Sequence, residues 1–365
     1  MRIPKLLLAA LVALVILAAG VDTLAGKGGG GKKPPPDEPP ADPAVAVIDN
    51  GSGHLVVMNE DGSNVTVLLT EDEAGGYIGP PDWSPDGTQL VFTVYYPTDN
   101  SAGPSSRIHV VGVDGSGFTE LRARNNYLLG WSKSNPAEQG ASHAWSPCAL
   151  PDGLERIAYN DREVRDDGSR GNHHVFLMET DGSNPIDTGK ATGCLSWSPD
   201  ATRLAVDRGT NGIRVHSFGV DGSDTLTITA SPRYDLGVEV LHVAWSKTQD
   251  DILAVTVRTS SGGEVWRVDL RDAVANGYNT DGTELFSLTA RTVLASTLGG
   301  PTQDLSECDW SPDDTKLALD RYGNPTHGGK PGRGRSTWGC WVLDLTSGAE
   351  PLLLYRGGYY PAWRR

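Results

Sequence analysis

The sequence predicts an all-β fold, a ring of six sheets with four antiparallel strands each, and three observations predict it. First, a tryptophan recurs with the same neighbours. The copies are Asp82-Trp83-Ser84-Pro85-Asp86-Gly87, Ala144-Trp145-Ser146-Pro147, Ser196-Trp197-Ser198-Pro199-Asp200, Ala244-Trp245-Ser246, Asp309-Trp310-Ser311-Pro312-Asp313 and Ala362-Trp363, at intervals of 48 to 65 residues. Second, Asp-Gly-Ser recurs at Asp61, Asp114, Asp181 and Asp221. Third, no long stretch carries a 3.6-residue apolar period, which excludes a helical solenoid. A repeat of this size is one supersecondary unit copied around a ring or along a stack. Four-stranded units at this period make a β-propeller.

Each unit reads as four strands, a to d. Strand a holds the tryptophan. Strand b is the apolar run that follows it, as in Leu90-Val91-Phe92, Ile157-Ala158-Tyr159, Leu204-Ala205-Val206, Ile252-Leu253-Ala254-Val255 and Leu317-Ala318-Leu319. Strand c follows, as in Ile108-His109-Val110-Val111, and ends at Asp-Gly-Ser; strand d closes on Leu or Thr. Ser-Pro-Asp-Gly suits a type I turn between a and b, because Pro presets φ and Gly fits the fourth place. Asp-Gly suits a two-residue turn between c and d with positive φ at both positions.

The ends complete each other. Residues 45–70 supply strands b, c and d, and Tyr359-Tyr360-Pro361-Ala362-Trp363 supplies a strand a. Joined in one sheet, they close the ring and remove exposed sheet edges. The alternative is a seventh, degenerate unit at 122–143 around Trp131, a segment with no Asp-Gly turn of its own.

Trp-Ser-Pro-Asp-Gly, an apolar strand, Asp-Arg (Asp161-Arg162, Asp207-Arg208, Asp320-Arg321) and a strand ending in Asp-Gly-Ser together resemble the TolB-type, WD40-like propeller repeat over residues 45–365. The resemblance implies a six-bladed ring that binds partner proteins in the bacterial envelope. TolB carries an α/β domain ahead of its propeller; here only a leader and a linker precede residue 45.

Residues 1–25 read as a signal peptide: Arg2 and Lys5 precede 14 uncharged residues, 6–19, fewer than the roughly 20 that span a bilayer. Residues 26–44 are a Gly/Pro-rich linker and 45–365 the propeller. An exported, periplasmic or extracellular monomer follows, with no integral membrane domain after signal removal. The net charge of −15 disfavours nucleic acid. Export permits disulfides among Cys148, Cys194, Cys308 and Cys340, and Cys308–Cys340 is the candidate pair.

Topology puts the a–b and c–d turns on one face and the variable b–c and d–a loops on the other, where function concentrates. That loop face is expected to carry Tyr95, Tyr96, Trp131, His143, Tyr234, His242, Tyr322, Arg333, Arg335, Tyr359 and Tyr360. Aromatic groups of this kind suit protein interfaces and sugar sites. His143, His242, Cys194 and Cys308 ring the channel mouth, too widely separated to be expected to share a metal. The Asp-Arg pairs read as structural ties of the b–c loops. No nucleophile elbow, phosphate loop or zinc-helix motif is present, and no cofactor is called for. The reading is therefore a non-catalytic scaffold that binds a protein or peptide on the loop face. The alternative is a carbohydrate-active enzyme, a polysaccharide lyase or hydrolase: some lyases use TolB-like propellers, and the resemblance then implies His143, His242 and Tyr322 at the channel mouth.

Overall fold

The computed structural model describes residues 44–96, 105–123, 143–164, 170–191, 193–207, 212–296, 305–321, 339–347 and 351–365. The chain divides into two units, Met1–Asp37 and Glu38–Arg365, and all described residues belong to the second. They form an all-β propeller with about five regular blades of four antiparallel strands.

Among the described residues the strands assemble into six sheets. Sheet 1 pairs Gly358–Trp363, Val45–Asp49, Leu55–Met58 and Thr66–Leu69, with Val45 opposite Trp363. Sheet 2 holds Gln89–Tyr96, Ser105–Gly112 and Thr119–Ala123. Its innermost strand is split into Tyr77–Ile78 and Asp82–Trp83 around Pro80-Pro81, because proline has no N–H to give the ladder. Sheet 3 is His143–Trp145, Arg156–Val164, Arg170–Glu179 and Ile186–Ala191. Sheet 5 is Glu239–Trp245, Ile252–Thr259, Gly262–Asp269 and Thr292–Ser296. Sheet 6 is Leu305–Trp310, Lys316–Arg321, Gly339–Asp344 and Leu352–Arg356.

Sheet 4 departs from the repeat. Its regular strands are Leu195–Trp197, Arg203–Asp207, Gly212–Val220 and Leu226–Ala230. Arg233–Asp235 is added to them, and a hairpin inserted between strands c and d of sheet 5, Val274–Tyr278 and Glu284–Ser287, reaches back to extend it to seven strands. The join between Arg233–Asp235 and Glu284–Ser287 is parallel.

The cores lie between sheets. Strand b is buried on both faces, so its alternate residues serve two neighbours and the run reads as continuously apolar. In sheet 6, Leu317 and Leu319 pack with Ala244 and Ile252 of sheet 5, whereas Ala318 packs with Val45 and Trp363 of sheet 1. Similar cores join sheets 1 and 2, 2 and 3, 3 and 4, and 4 and 5.

The a–b turns follow the expectation. Gly87 N donates to Ser84 O at 2.9 Å, and the Ser84 hydroxyl donates to Asp86 at 2.7 Å; Ser198–Asp200 and Ser311–Asp313 repeat the latter bond at 2.6 and 2.8 Å. The c–d turns differ from it. Gly62, Gly115 and Gly182 have positive φ, but the preceding aspartates do not. Each aspartate instead accepts from the backbone N–H of the serine two residues on, at 2.8–2.9 Å. Asp-Gly-Ser is thus a side-chain-capped turn rather than a two-residue turn with both φ positive.

Candidate functional site

The innermost strands carry a belt of polar contacts between sheets. Trp83 Nε1 donates to Ala362 O at 3.0 Å, Trp197 Nε1 to Ala144 O at 3.1 Å and Trp310 Nε1 to Ala244 O at 3.2 Å. The intervening joints use the residue before the tryptophan. Trp145 N donates to Asp82 Oδ2 at 2.7 Å, Trp245 N to Ser196 Oγ at 2.8 Å and Trp363 N to Asp309 Oδ2 at 2.8 Å. Two kinds of strand therefore alternate: Ala-Trp presents a carbonyl and a backbone N–H, and Asp-Trp or Ser-Trp presents an indole N–H and a side-chain acceptor.

Charge on this belt is compensated from within. Lys247 Nζ lies 2.7 Å from Asp309 Oδ1, and Arg365 Nη2 lies 3.8 Å from Asp82 Oδ2. Burial raises the Asp309 carboxyl above its usual range, against the pull of Lys247 and the Trp363 N–H. Asp82 and Asp309 thus hold backbone groups and protein cations. Among the described residues, no group of three or more His, Cys, Asp or Glu is placed to hold a metal ion.

Three residues before four of the tryptophans lies a second register: Cys194, His242, Glu307 and Tyr360. Desolvation, then Lys247, lowers His242 to about 4, and its Nδ1 lies 4.0 Å from Cys308 Sγ. Glu307 is held well above the carboxylate range, first by desolvation and then by Asp320 and Asp207. Residue type alone does not single out Glu307, although it shares the His242 register. Nor does it single out Lys247 and Ser196, which the belt requires.

The aromatic residues expected on the loop face separate into groups. Tyr95 and Tyr360 are buried, and Tyr359 sits edge-on to Tyr360 with centroids 4.6 Å apart. Burial, then Glu71 and Asp49, pushes Tyr359 up to about 12. Tyr359 and Tyr360 belong to the core at sheets 1 and 2 rather than forming an open platform. The Tyr96 hydroxyl pairs with His109 Nε2 at 3.1 Å, and Arg107 lies over its ring. Tyr234 stacks on Phe286 of the inserted hairpin, 5.2 Å between centroids. His143 is buried, with Nε2 3.0 Å from Val91 O and Nδ1 3.4 Å from Thr93 Oγ1. The structure does not gather His143 and His242 into one centre: each is engaged on its own sheet or the next. Trp131, Tyr322, Arg333 and Arg335 lie outside the described residues.

The candidate Cys308–Cys340 disulfide is not formed; all four cysteines are free thiols. Cys308 stands opposite Leu319 and Cys340 opposite Asp320, so the two side chains leave opposite faces of sheet 6. Cys308 packs toward sheet 5 and Cys340 toward sheet 1. Asp320, of the third Asp-Arg pair, has a structural role: it accepts from Glu307 N at 2.7 Å and Tyr360 N at 3.3 Å, which ties innermost strands.

No protein-family model and no curated protein matches the sequence. Solved structures do. A chain of a nidogen/laminin complex is 10% identical, aligned over 88% of this chain and 98% of that one, with a TM-score of 0.50. A putative TolB from Agrobacterium tumefaciens is 14% identical over 86% and 88%, with a TM-score of 0.46. An oligogalacturonate lyase in complex with manganese is 14% identical over 84% and 75%, with a TM-score of 0.45. At such identities the likeness is one of fold alone. Among the described residues no helix is long and apolar enough to cross a membrane.

Proposed function

We propose that this chain is an exported, non-catalytic, six-bladed propeller that binds a protein or peptide on its b–c and d–a loop face. The observation that carries the reading is the belt: polar groups of the innermost strands stitch each sheet to the next. Such side chains are committed to rigidity, and a rigid ring presenting variable loops is a binding scaffold. Six sheets, the Val45–Trp363 register and the two belt contacts made by Gly358–Trp363 support a ring closed by the two ends of the chain. Arg2, Lys5 and the apolar run behind them support export. The histidines that a lyase at the channel mouth would need are taken up in packing: His143 is buried against Val91 and Thr93, and burial depresses His242 to about 4.

The test is affinity capture from envelope extract with the whole chain and with Trp131→Ala, beside a turnover screen on acidic oligosaccharides with added divalent metal. The expected outcome is a partner retained by the parent, depleted at least severalfold by Trp131→Ala, and no turnover. Metal-dependent turnover abolished by His242→Ala would overturn the reading in favour of the enzyme.

A further inference from the structure

The strand Gly358–Trp363 is fastened to sheet 6 by two carboxylates of unlike setting. Asp309 accepts from Trp363 N at 2.8 Å and is matched by Lys247 Nζ at 2.7 Å. Asp320 accepts from Tyr360 N at 3.3 Å, and its other oxygen accepts from Glu307 N at 2.7 Å. Tyr360 has φ of 57°, a left-handed conformation that costs a side-chain-bearing residue roughly 1–2 kcal/mol and persists only where its surroundings enforce it. The Asp320 bond is one of those constraints.

We propose that Glu307 and Asp320 make this junction a pH-sensitive seam, closed while Glu307 keeps its proton and loosened when the proton leaves for solvent. The inference stands whether or not the loop face binds a partner. Glu307 is half-buried, so its proton can exchange. Among the described residues, the charges that face it are Asp320 of its own sheet and Asp207 of sheet 4. The other titratable groups around it are neutral: the Tyr360 hydroxyl on the closing strand, the Cys194 thiol of sheet 4 and the Cys340 thiol of sheet 6 are all held protonated by burial. Cys308 follows it in the strand as a thiol pushed up to about 12, and His242 of sheet 5 stays unprotonated. Lys247 is engaged with Asp309. Ionising Glu307 therefore adds a negative charge beside two carboxylates, one of which holds Tyr360.

The direction follows from linkage. A carboxyl whose folded-state pKa lies above its unfolded value binds its proton more tightly in the fold, so its stabilisation is complete in acid and is lost as pH rises through the folded value. The experiment compares the intact protein with Glu307→Gln and Asp207→Asn, following thermal melting and proteolytic release of the C-terminal strand from the ordinary carboxylate range upward through neutral into alkaline pH. The expected result is a parent whose melting temperature falls and whose cleavage quickens as pH rises, and a Glu307→Gln variant that is flat in both. Asp207→Asn keeps the response but moves its midpoint to lower pH, and it provides the readout if Glu307→Gln does not fold. Parallel pH responses in the parent and Glu307→Gln, or an unmoved midpoint in Asp207→Asn, would overturn the proposal.

Discussion

At the scale of single residues, the repeat is written in side chains that finish turns. The carboxylates of Asp61, Asp114, Asp181 and Asp221 are lowered below their usual range, first by serine hydroxyls and then by serine N–H groups, because those bonds favour the charged form. The glycine beside the aspartate has a separate task. Gly182 has φ of 85°, and a Cβ there would strike Leu121 O of sheet 2. Gly153 has φ of 82° with nothing within 4 Å. Alanine at either position meets the left-handed penalty of roughly 1–2 kcal/mol; at Gly182 the clash adds about 1 kcal/mol or more. Urea midpoints should therefore order as parent above Gly153→Ala above Gly182→Ala, and equal losses would show that the turn does not touch sheet 2. The positions of these turns could be read from Asp-Gly-Ser. Their geometry could not, because the motif does not say whether aspartate adopts positive φ or caps a neighbour that does.

At the scale of elements, sheets 4 and 5 are tied by more than their shared core. The inserted hairpin places Phe286 opposite Tyr234, in parallel pairing with a strand of another sheet. Phe286→Ala removes the stack and part of the half-buried face, at a cost of about 1–3 kcal/mol. Amide exchange should quicken in Arg233–Asp235 and the hairpin while the other sheets stay protected; uniform quickening would mean that the hairpin is integral to the whole ring. Strand b was legible because double burial forces an unbroken apolar run, as in Leu253-Ala254-Val255. The hairpin was not, because Val274–Tyr278 is exposed along its length and carries no alternation. The a–b turn of sheet 5 shows a second limit. Trp245-Ser246-Lys247-Thr248 lacks the usual Pro-Asp, and its carboxylate comes from sheet 6, where Asp314 accepts from Ser246 Oγ at 2.6 Å and Lys247 N at 2.8 Å. A local motif cannot announce a partner 68 residues away. The candidate site was the least legible part: Tyr95, Tyr360 and His143 have residue types that suit recognition equally well in a core, and only burial separates the two uses.

At the scale of the molecule, the strand Gly358–Trp363 ties sheet 1 to sheets 2 and 6. Gly358–Trp363 contributes Ala362 and Tyr360 to the core shared with sheet 2 and Trp363 to the core shared with sheet 6. It also receives the Trp83 indole bond and supplies the N–H groups held by Asp309 and Asp320. Without it, Val45–Asp49 would become an open edge of five residues, four of them fully buried in the intact protein. An apolar edge with free N–H and C=O groups recruits other chains. Two cores would lose side chains at once, and each large buried group is worth roughly 1.5–3 kcal/mol. Folding stability of a domain amounts to only about 5–15 kcal/mol, so the loss consumes much of it. Deleting residues 358–365 should therefore abolish a single sharp melting transition and produce soluble aggregates by light scattering. Adding a synthetic peptide of that sequence should restore part of the transition, because the vacated edge offers the matching register. A truncated chain that melts sharply at the parent's temperature would mean that the ring is held by its other joints and that the strand is an accessory.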